Sequence, residues 1–459
     1  MSSIIPSIRF GVGVIIVLLQ LMIVRPGVAG WTETSAKHLS LAEAIQTAVA
    51  KNPTIAAVQS QLEVSDARID QARSGLLPQL DFSEDFTRTT SPTGVFSAKL
   101  NQGTFTQQDF DVNTLNNPDP INNFATNFNL TVPVFNSRQT WIGFNQAKLN
   151  HEAVNSAMVR TRQQVIAATV FAYTGVQLAQ ENVLVVEQAL QTARAHLDLA
   201  ASRLRSGLVV KSDLLRAEVR VAELEQERLQ AQSQLEIAGA SLNATMGLEI
   251  DQVFRLTTPL EQGPELPGSL SEWTRKALQH RPDLAQVNYR QELAQKEVTK
   301  TKSAHLPSLF LSGNYQINTE DFSKTADNYT VGAVLSLNLF SGYNLQSRVS
   351  EARANLRQVQ AMRQQLKLGI AVETKQAFLQ TQSALQRIRV AQGAVAQAEE
   401  GLRIVRNRYE IGLYTIVNLL DAEVALQRAR TNYSRSLHDH SVARAKLALA
   451  AGTLDENFR

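Results

Sequence analysis

Arg203-Leu204-Arg205-Ser206-Gly207-Leu208-Val209-Val210-Lys211-Ser212-Asp213-Leu214-Leu215-Arg216-Ala217-Glu218 and Arg408-Tyr409-Glu410-Ile411-Gly412-Leu413-Tyr414-Thr415-Ile416-Val417-Asn418-Leu419-Leu420-Asp421-Ala422-Glu423 lie 205 residues apart. Both read as a turn between two long helices. Upstream of the first, Val183, Val186, Leu190, Ala193, Leu197, Ala200 and Leu204 recur at steps of three and four. Ile388, Ala391, Val395, Ala398, Leu402, Val405 and Tyr409 take the same steps 205 residues later. This is an a/d seam written twice. Gly207 and Gly412 stand where a helix ends in a left-handed residue, and Ser212 and Asp213 are expected to cap the helix after the first turn. The repetition marks an internal duplication.

Working outward, the same offset relates Val132-Pro133-Val134-Phe135 to Leu337-Asn338-Leu339-Phe340, and Gly247 to Gly452. An offset of 229 relates Asn52-Pro53 to Arg281-Pro282 and Leu77-Pro78 to Leu306-Pro307, so the first half carries 24 extra residues between Pro78 and Phe135. No proline falls between 134 and 258 or after 307. Those stretches can hold very long helices, which an interior proline would break. Residues 137–206 alone would make a helix of about 105 Å, which needs a bundle or coiled-coil setting.

The segments 79–90, 123–135, 308–318 and 329–340 alternate with period two and read as half-buried strands. In the second, Phe124, Thr126, Phe128, Leu130, Val132 and Val134 alternate with Ala125, Asn127, Asn129, Thr131 and Pro133. The long helices bind each other, which leaves nothing to cover the apolar sheet face. That face is expected to meet lipid, with the polar face lining a lumen. Phe128, Leu130, Leu335 and Leu337 would then point outward, and Asn127, Asn129, Ser336 and Asn338 inward. Trp141 and Phe144 are candidates for an interfacial girdle. Four strands cannot close a barrel and open edges are not tolerated in lipid, so a spanning chain must associate, as a dimer of eight strands or a trimer of twelve. Residues 91–121 would form an external loop.

The chain has 459 residues, a formal charge of +3 and no cysteine. The charge is too small and too dispersed to indicate nucleic acid, and disulfide or thiol chemistry is excluded. Residues 1–30 have the charge, the 14-residue apolar run (11–24) and the small-residue end of a secretory signal. Residues 31–250 form the first repeat with its coiled-coil hairpin at 137–246. Residues 251–268 are a proline-containing linker. Residues 269–459 form the second repeat with its hairpin at 342–450. No nucleotide loop or hydrolase motif occurs. His438 and His440 flank Asp439 but point to different sides of a helix and are expected at its surface. No catalytic set, cofactor or metal site is expected.

The duplicated order of elements, the Leu-Pro before each hairpin and the paired tips together resemble the outer-membrane factor (TolC-type) family over about residues 38–452. The resemblance implies a mostly α chain with membrane β: a trimeric twelve-stranded barrel in the outer membrane, continued by an α-helical tunnel across the periplasm. It implies a homotrimer, outer-membrane lipid, a periplasmic adaptor and an inner-membrane pump as partners, and passive export as the function. A periplasmic structural or adaptor coiled coil is the alternative; such adaptors usually carry one hairpin, where this chain has two. Carried over position by position, Tyr409 matches a gate tyrosine and Asp213 its acceptor, with Ser212 beside it, and Asp421 matches an acidic ring. Tyr414 and Asn418 stand where some members have the gate arginine and a second ring aspartate. Gly207, Leu208, Gly412 and Leu413 are the expected adaptor-docking tips.

Overall fold

The structure, a computed structural model, describes residues 37–265, 267–455 and Phe458; the secretory segment expected at 1–30 lies outside them. The first repeat runs β1 (Lys37–Leu39), α1 (Leu41–Lys51), α2 (Pro53–Ser74), β2 (Gln79–Thr89), α3 (Pro92–Asn101), a 3-10 turn (Gln107–Phe110), α4 (Val112–Asn116), β3 (Ile121–Asn136), α5 (Gln139–Arg205) and α6 (Lys211–Met246). After the linker strand β4 (Phe254–Leu256), the second runs α7 (Leu270–His280), α8 (Pro282–Ser303), β5 (Ser308–Thr319), β6 (Ala326–Ser336), α9 (Asn344–Glu410) and α10 (Ile416–Ala450). Helices α5 and α9 have 67 residues each, offset by 205, and each spans about 100 Å.

The duplication extends to backbone detail. Ser137 and Arg138, then Gly342 and Tyr343, take positive φ at the strand-to-helix junctions. Gly247 and Gly452 end α6 and the α10 segment with φ of 71° and 70°. Each lies against the corner that starts the repeat's second helix. A β-carbon on Gly247 would stand 2.4 Å from the Lys51 carbonyl oxygen, and one on Gly452 2.8 Å from that of His280. The Asn52 side chain donates to the Thr245 carbonyl and accepts from the Thr54 amide. Arg281 replaces Asn52 in the second repeat and bonds Asp283 and Glu373 at 2.6 and 2.5 Å, while Arg160 of α5 donates to the Leu449 carbonyl. These ties gather both repeats at a waist. There β1 and β4 pair in parallel, and the buried Tyr173 hydroxyl donates to the Leu39 carbonyl and accepts from the Thr258 amide.

On the sheet side of the waist the helices neighbour one another in the order α2, α5, α8, α9; on the far side the order is α6, α5, α10, α9. Each protomer is therefore an arc. The seam residues Val186, Leu190, Ala193 and Ala200, and Ile388, Ala391, Leu402 and Tyr409, are buried as their spacing requires.

Four expectations change. The segment 91–121 is not a simple loop: Pro92 at the first helical turn and the Val95–Ala98 step let α3 form. The last strand is not 329–340 but Ala326–Ser336, because its partner β5 begins at Ser308 and the ladder ends at the Ser308–Ser336 pair. Ser212 and Asp213 are not caps; Val210 holds the N-cap position without a side-chain bond, and Asp213 sits within the first turn. His440 is not at the surface: it is buried, and burial, then Arg444, pushes its imidazole below its usual range.

Adding a β-carbon at the waist meets backbone as well as left-handed strain, so Gly247→Ala or Gly452→Ala should cost roughly 3 kcal/mol of unfolding free energy. At the tips, Gly207 and Gly412 have nothing within 4 Å of an added β-carbon, and alanine there should cost about 1 kcal/mol. Equal losses at waist and tip, measured by unfolding of the detergent-solubilised protein, would contradict this packing. Burial pushes the Asp283 carboxyl up, but the Arg281 hydrogen bond and charge reverse this and hold it below its usual range. Its stabilisation is present above the unfolded value, near pH 3.9, and fades as pH falls below it. The melting temperature of the parent should therefore drop more steeply below about pH 4 than that of Asp283→Asn.

Candidate functional site

The sheet has the order β2-β3-β5-β6, antiparallel throughout. Residues directly opposite share a face, so the register stacks the apolar alternations of all four strands. Leu80, Leu130 and Val331 share one row with Gly313, and Phe82, Phe128, Tyr315 and Tyr329 make the next. Phe128, Leu130 and Leu335 are exposed, as expected for outward positions. The opposite face is polar and internally bonded: Asn127 donates to Asp85 at 2.9 Å, Asn314 to Asn129 at 2.7 Å and Asn123 to Asn318 at 3.0 Å. A bulge between Pro133 and Phe135 moves Phe135 onto the apolar face opposite Leu309. Leu337 and Asn338 lie beyond the ladder, so the alternation does not reach them. From Phe124 to Phe135 is about 36 Å along the strand, or about 28 Å at a 40° tilt, close to the apolar band of a spanning barrel. Beyond it lie two aromatic pairs, the exposed Trp141 with the half-buried Phe144, and the exposed Phe340 with Tyr343. Both outer strands, β2 and β6, leave one edge unpaired. No described helix is long and apolar enough to cross a membrane.

The far end of the arc carries the two tips. Leu208, Ile411 and Leu413 are exposed there. Tyr409 is buried with Ala200, Ala217, Leu402, Ile416 and Leu419. Arg203 lies over its ring at 4.8 Å and donates to the Tyr409 and Glu410 carbonyls, both at 3.2 Å. Among the described residues no hydrogen bond joins Tyr409 to Asp213. Tyr414 accepts from Arg408 at 3.0 Å. Asn418 receives the Thr415 amide and hydroxyl and so caps α10. Asp421 is exposed one turn further along.

The two hairpins meet through a polar ladder that the spacing of apolar residues does not reveal. His196 of α5 approaches Glu423 of α10 at 2.5 Å, with both side chains only 12% and 13% exposed. Arg220 of α6 donates to Gln427 of α10, which donates to Glu227. Arg430 of α10 reaches Gln188 of α5 and Glu399 of α9. Arg203 completes the ladder at the tip. The one sequence signal for it is a charge or amide at matching heights on two helices, which has meaning only once the hairpins are placed side by side.

The chain matches the family model described as "Outer membrane efflux protein" over residues 44–248 and 273–453. It is 22% identical over 424 residues to the outer membrane protein TolC of Vibrio cholerae, covering 91% of each chain. It is 23% identical over 430 residues to the proteases secretion protein PrtF of Dickeya chrysanthemi, covering 92% of this chain and 90% of that one. Its fold is that of the outer membrane protein VceC from Vibrio cholerae, with a TM-score of 0.74 at 20% identity over 90% of this chain and 96% of that one.

The two faces of β6 should respond differently to charge. Val331→Arg, in the middle of the apolar band opposite Gly313 and Leu130, should destabilise membrane assembly by about 2–4 kcal/mol, whereas Leu335→Arg, at the end of the band opposite Leu309 and Phe135, should cost no more than about 1 kcal/mol. Ser336→Arg should leave assembly intact and alter ion conductance. Equal tolerance of Val331→Arg and Ser336→Arg, scored by heat-modifiable gel migration of outer-membrane fractions, would refute the assigned faces.

Proposed function

We propose that this chain, which belongs to the outer membrane efflux protein family, works as a homotrimer and as the passive exit duct of an assembly powered elsewhere. It is an outer-membrane channel, and the reading as a periplasmic adaptor is not favoured. The observation that carries the trimer is the open arc. Both sheet edges are unpaired, and the outermost helices carry exposed apolar stripes: Leu368, Val372, Leu379 and Val390 on α9, and Leu215, Val219, Leu229 and Ile237 on α6. Val390 is 74% exposed in the single chain. Each stripe covers 22 residue steps, about six turns at a period near that of a straight helix, so it can run along a neighbour's helix without strong supercoiling.

Strand number selects three copies over two. Eight strands enclose a backbone ring about 16 Å across, which side chains fill, whereas twelve enclose about 24 Å and leave a lumen. Three helical arcs likewise give twelve helices. At about 9.5 Å spacing their axes form a ring about 36 Å across, with roughly 25 Å clear inside.

The narrow end is the gate in this reading. Tyr409, Asp213, Ser212, Tyr414, Asn418 and Asp421 surround it, and Arg203 joins them as the group that pins one tip to the other. The exposed tip residues Gly207, Leu208, Gly412 and Leu413 receive a periplasmic adaptor, which couples the duct to an inner-membrane pump. Three Asp421 carboxylates about 6 Å apart would repel by roughly 3 kcal/mol per pair at an effective dielectric of 20, which favours a bound cation.

Native mass spectrometry of the detergent-solubilised protein should give three chains; a monomer would sink the reading. In planar bilayers, Arg203→Met should raise resting conductance, because it removes both carbonyl contacts to the second tip. Tyr409→Phe, which keeps the packed ring, should raise it less. Asp421→Ala should abolish block by divalent cations added on the tip side. Three variants indistinguishable from the parent would mean that the gate lies elsewhere.

A further inference from the structure

The 24 residues that the first repeat has in excess do not extend away from the sheet; they fold back onto its polar face. On β3, Ile121, Asn123, Ala125 and Asn127 share that face, and Ala125 is opposite Asn318, which is opposite Ala326. Val95 and Ala98 of α3 bury against Ile121. Gln102, 4% exposed, donates to the Asn122 carbonyl at 2.7 Å and to the Asn123 side chain at 2.8 Å. Gly103 lies against Ala326, at the start of the opposite edge strand. Helix α3 thus crosses the end of the sheet from β2 to β6. Its ten residues span about 15 Å, and three strand spacings about 14 Å, so one helix bridges one protomer's share of the wall.

The rest of the insertion is tied down. Phe96 and Phe105 stack edge to face at 4.9 Å, and Phe105 and Phe110 at 5.2 Å. Lys99 pairs with Asp109 at 2.6 Å. That bond, then those from the Thr106 amide and hydroxyl, hold the Asp109 carboxyl down to about 2. Leu100, Phe110 and Val112 remain exposed, Phe110 by 63%.

We propose that the three insertions meet one another across the outer mouth of the barrel, closing it with the apolar edge that carries Phe110 and Val112, so that the channel has a second barrier opposite its periplasmic tip. The proposal rests on the trimeric duct with a polar lumen. Dimensions carry it: a helix about 10 Å thick lying on the inner wall takes most of the roughly 12 Å radius of a twelve-stranded ring. Three such helices have no room to avoid contact. The occupant of each exposed apolar edge is therefore the same edge of a second copy of this chain.

The absence of native cysteine makes the test clean. Ser312 lies on the polar face, exposed in the protomer and deeper than the insertion. With Ser312→Cys in outer-membrane vesicles oriented as in the cell, a bulky charged maleimide added outside should label slowly. It should label severalfold faster when residues 91–120 are replaced by the six-residue connection 320–325. Separately, Phe110→Cys should be joined between protomers by a short bis-maleimide, giving a two-chain band on denaturing gels. Native mass spectrometry of each variant separates the two readings: a mass other than three chains means the trimer has failed. Equal labelling rates, or no cross-link in a chain shown to be trimeric, overturns the closed mouth.

Discussion

An unpaired sheet edge cannot face hydrocarbon, because each bare amide or carbonyl there costs several kcal/mol. The rest of this molecule is arranged around that constraint. Gene duplication yields two hairpins, which pair through β3 and β5 into one four-stranded sheet and still leave β2 and β6 open. Closure must come from further copies. Each repeat then continues its second strand into a helix through two successive left-handed residues, Ser137-Arg138 and Gly342-Tyr343. The wall therefore passes from strand to helix without ending. The helical arc inherits the same incompleteness, and its exposed stripes on α6 and α9 answer the open strand edges.

Two kinds of interface divide the helical part. Within the first hairpin the seam is apolar and closely spaced: Val186, Leu190 and Ala193 meet Leu224. Between hairpins an apolar cluster of Ala200 and Ala217 with Leu402, Tyr409, Ile416 and Leu419 is joined by a polar ladder of Arg203, His196–Glu423 and Arg220–Gln427–Glu227. Apolar burial resists separation in proportion to area. Hydrogen bonds net only about 1 kcal/mol each and can be exchanged for water or for another partner one turn away. The polar ladder is thus the part of the joint between hairpins that can exchange partners, while the apolar cluster at the tip resists their separation. At the waist, Gly247 and Gly452 pressed against backbone carbonyls leave no such freedom.

The parts legible in the sequence were those written in long periods. Offsets of 205 and 229 mark the two repeats, and periodicities that persist over many residues mark the long helices and the four strands, the last of them shifted by three to four residues at each end. The three-residue strands β1 and β4 were invisible, since three residues carry no period. Helix α3 was hidden in a segment rich in Asn, Gln and Thr, where Val95 and Ala98 are too few to mark a face without Ile121 beneath them. The site was legible only in position. Tyr409 could be placed at the end of the seam, but its partner proved to be Arg203 from the other hairpin, 206 residues away in sequence, which no local pattern announces. Asn418, placed by its position alone, also accepts the Thr415 amide at the start of α10, a bond that its match to a ring aspartate does not announce.

The caps at the tips differ in a way that the duplication alone would not suggest. The Asn418 side chain accepts from the Thr415 amide and hydroxyl at the start of α10, whereas Val210 at the matching place before α6 makes no side-chain bond. A side-chain bond of this kind at a helix start is worth about 1 kcal/mol. In the proposed ring of three copies the lower rim has six teeth, alternately pegged by this bond and without it. That rim has threefold stiffness on nearly sixfold geometry, and whatever grips it meets three firm contacts and three that can reshape to fit.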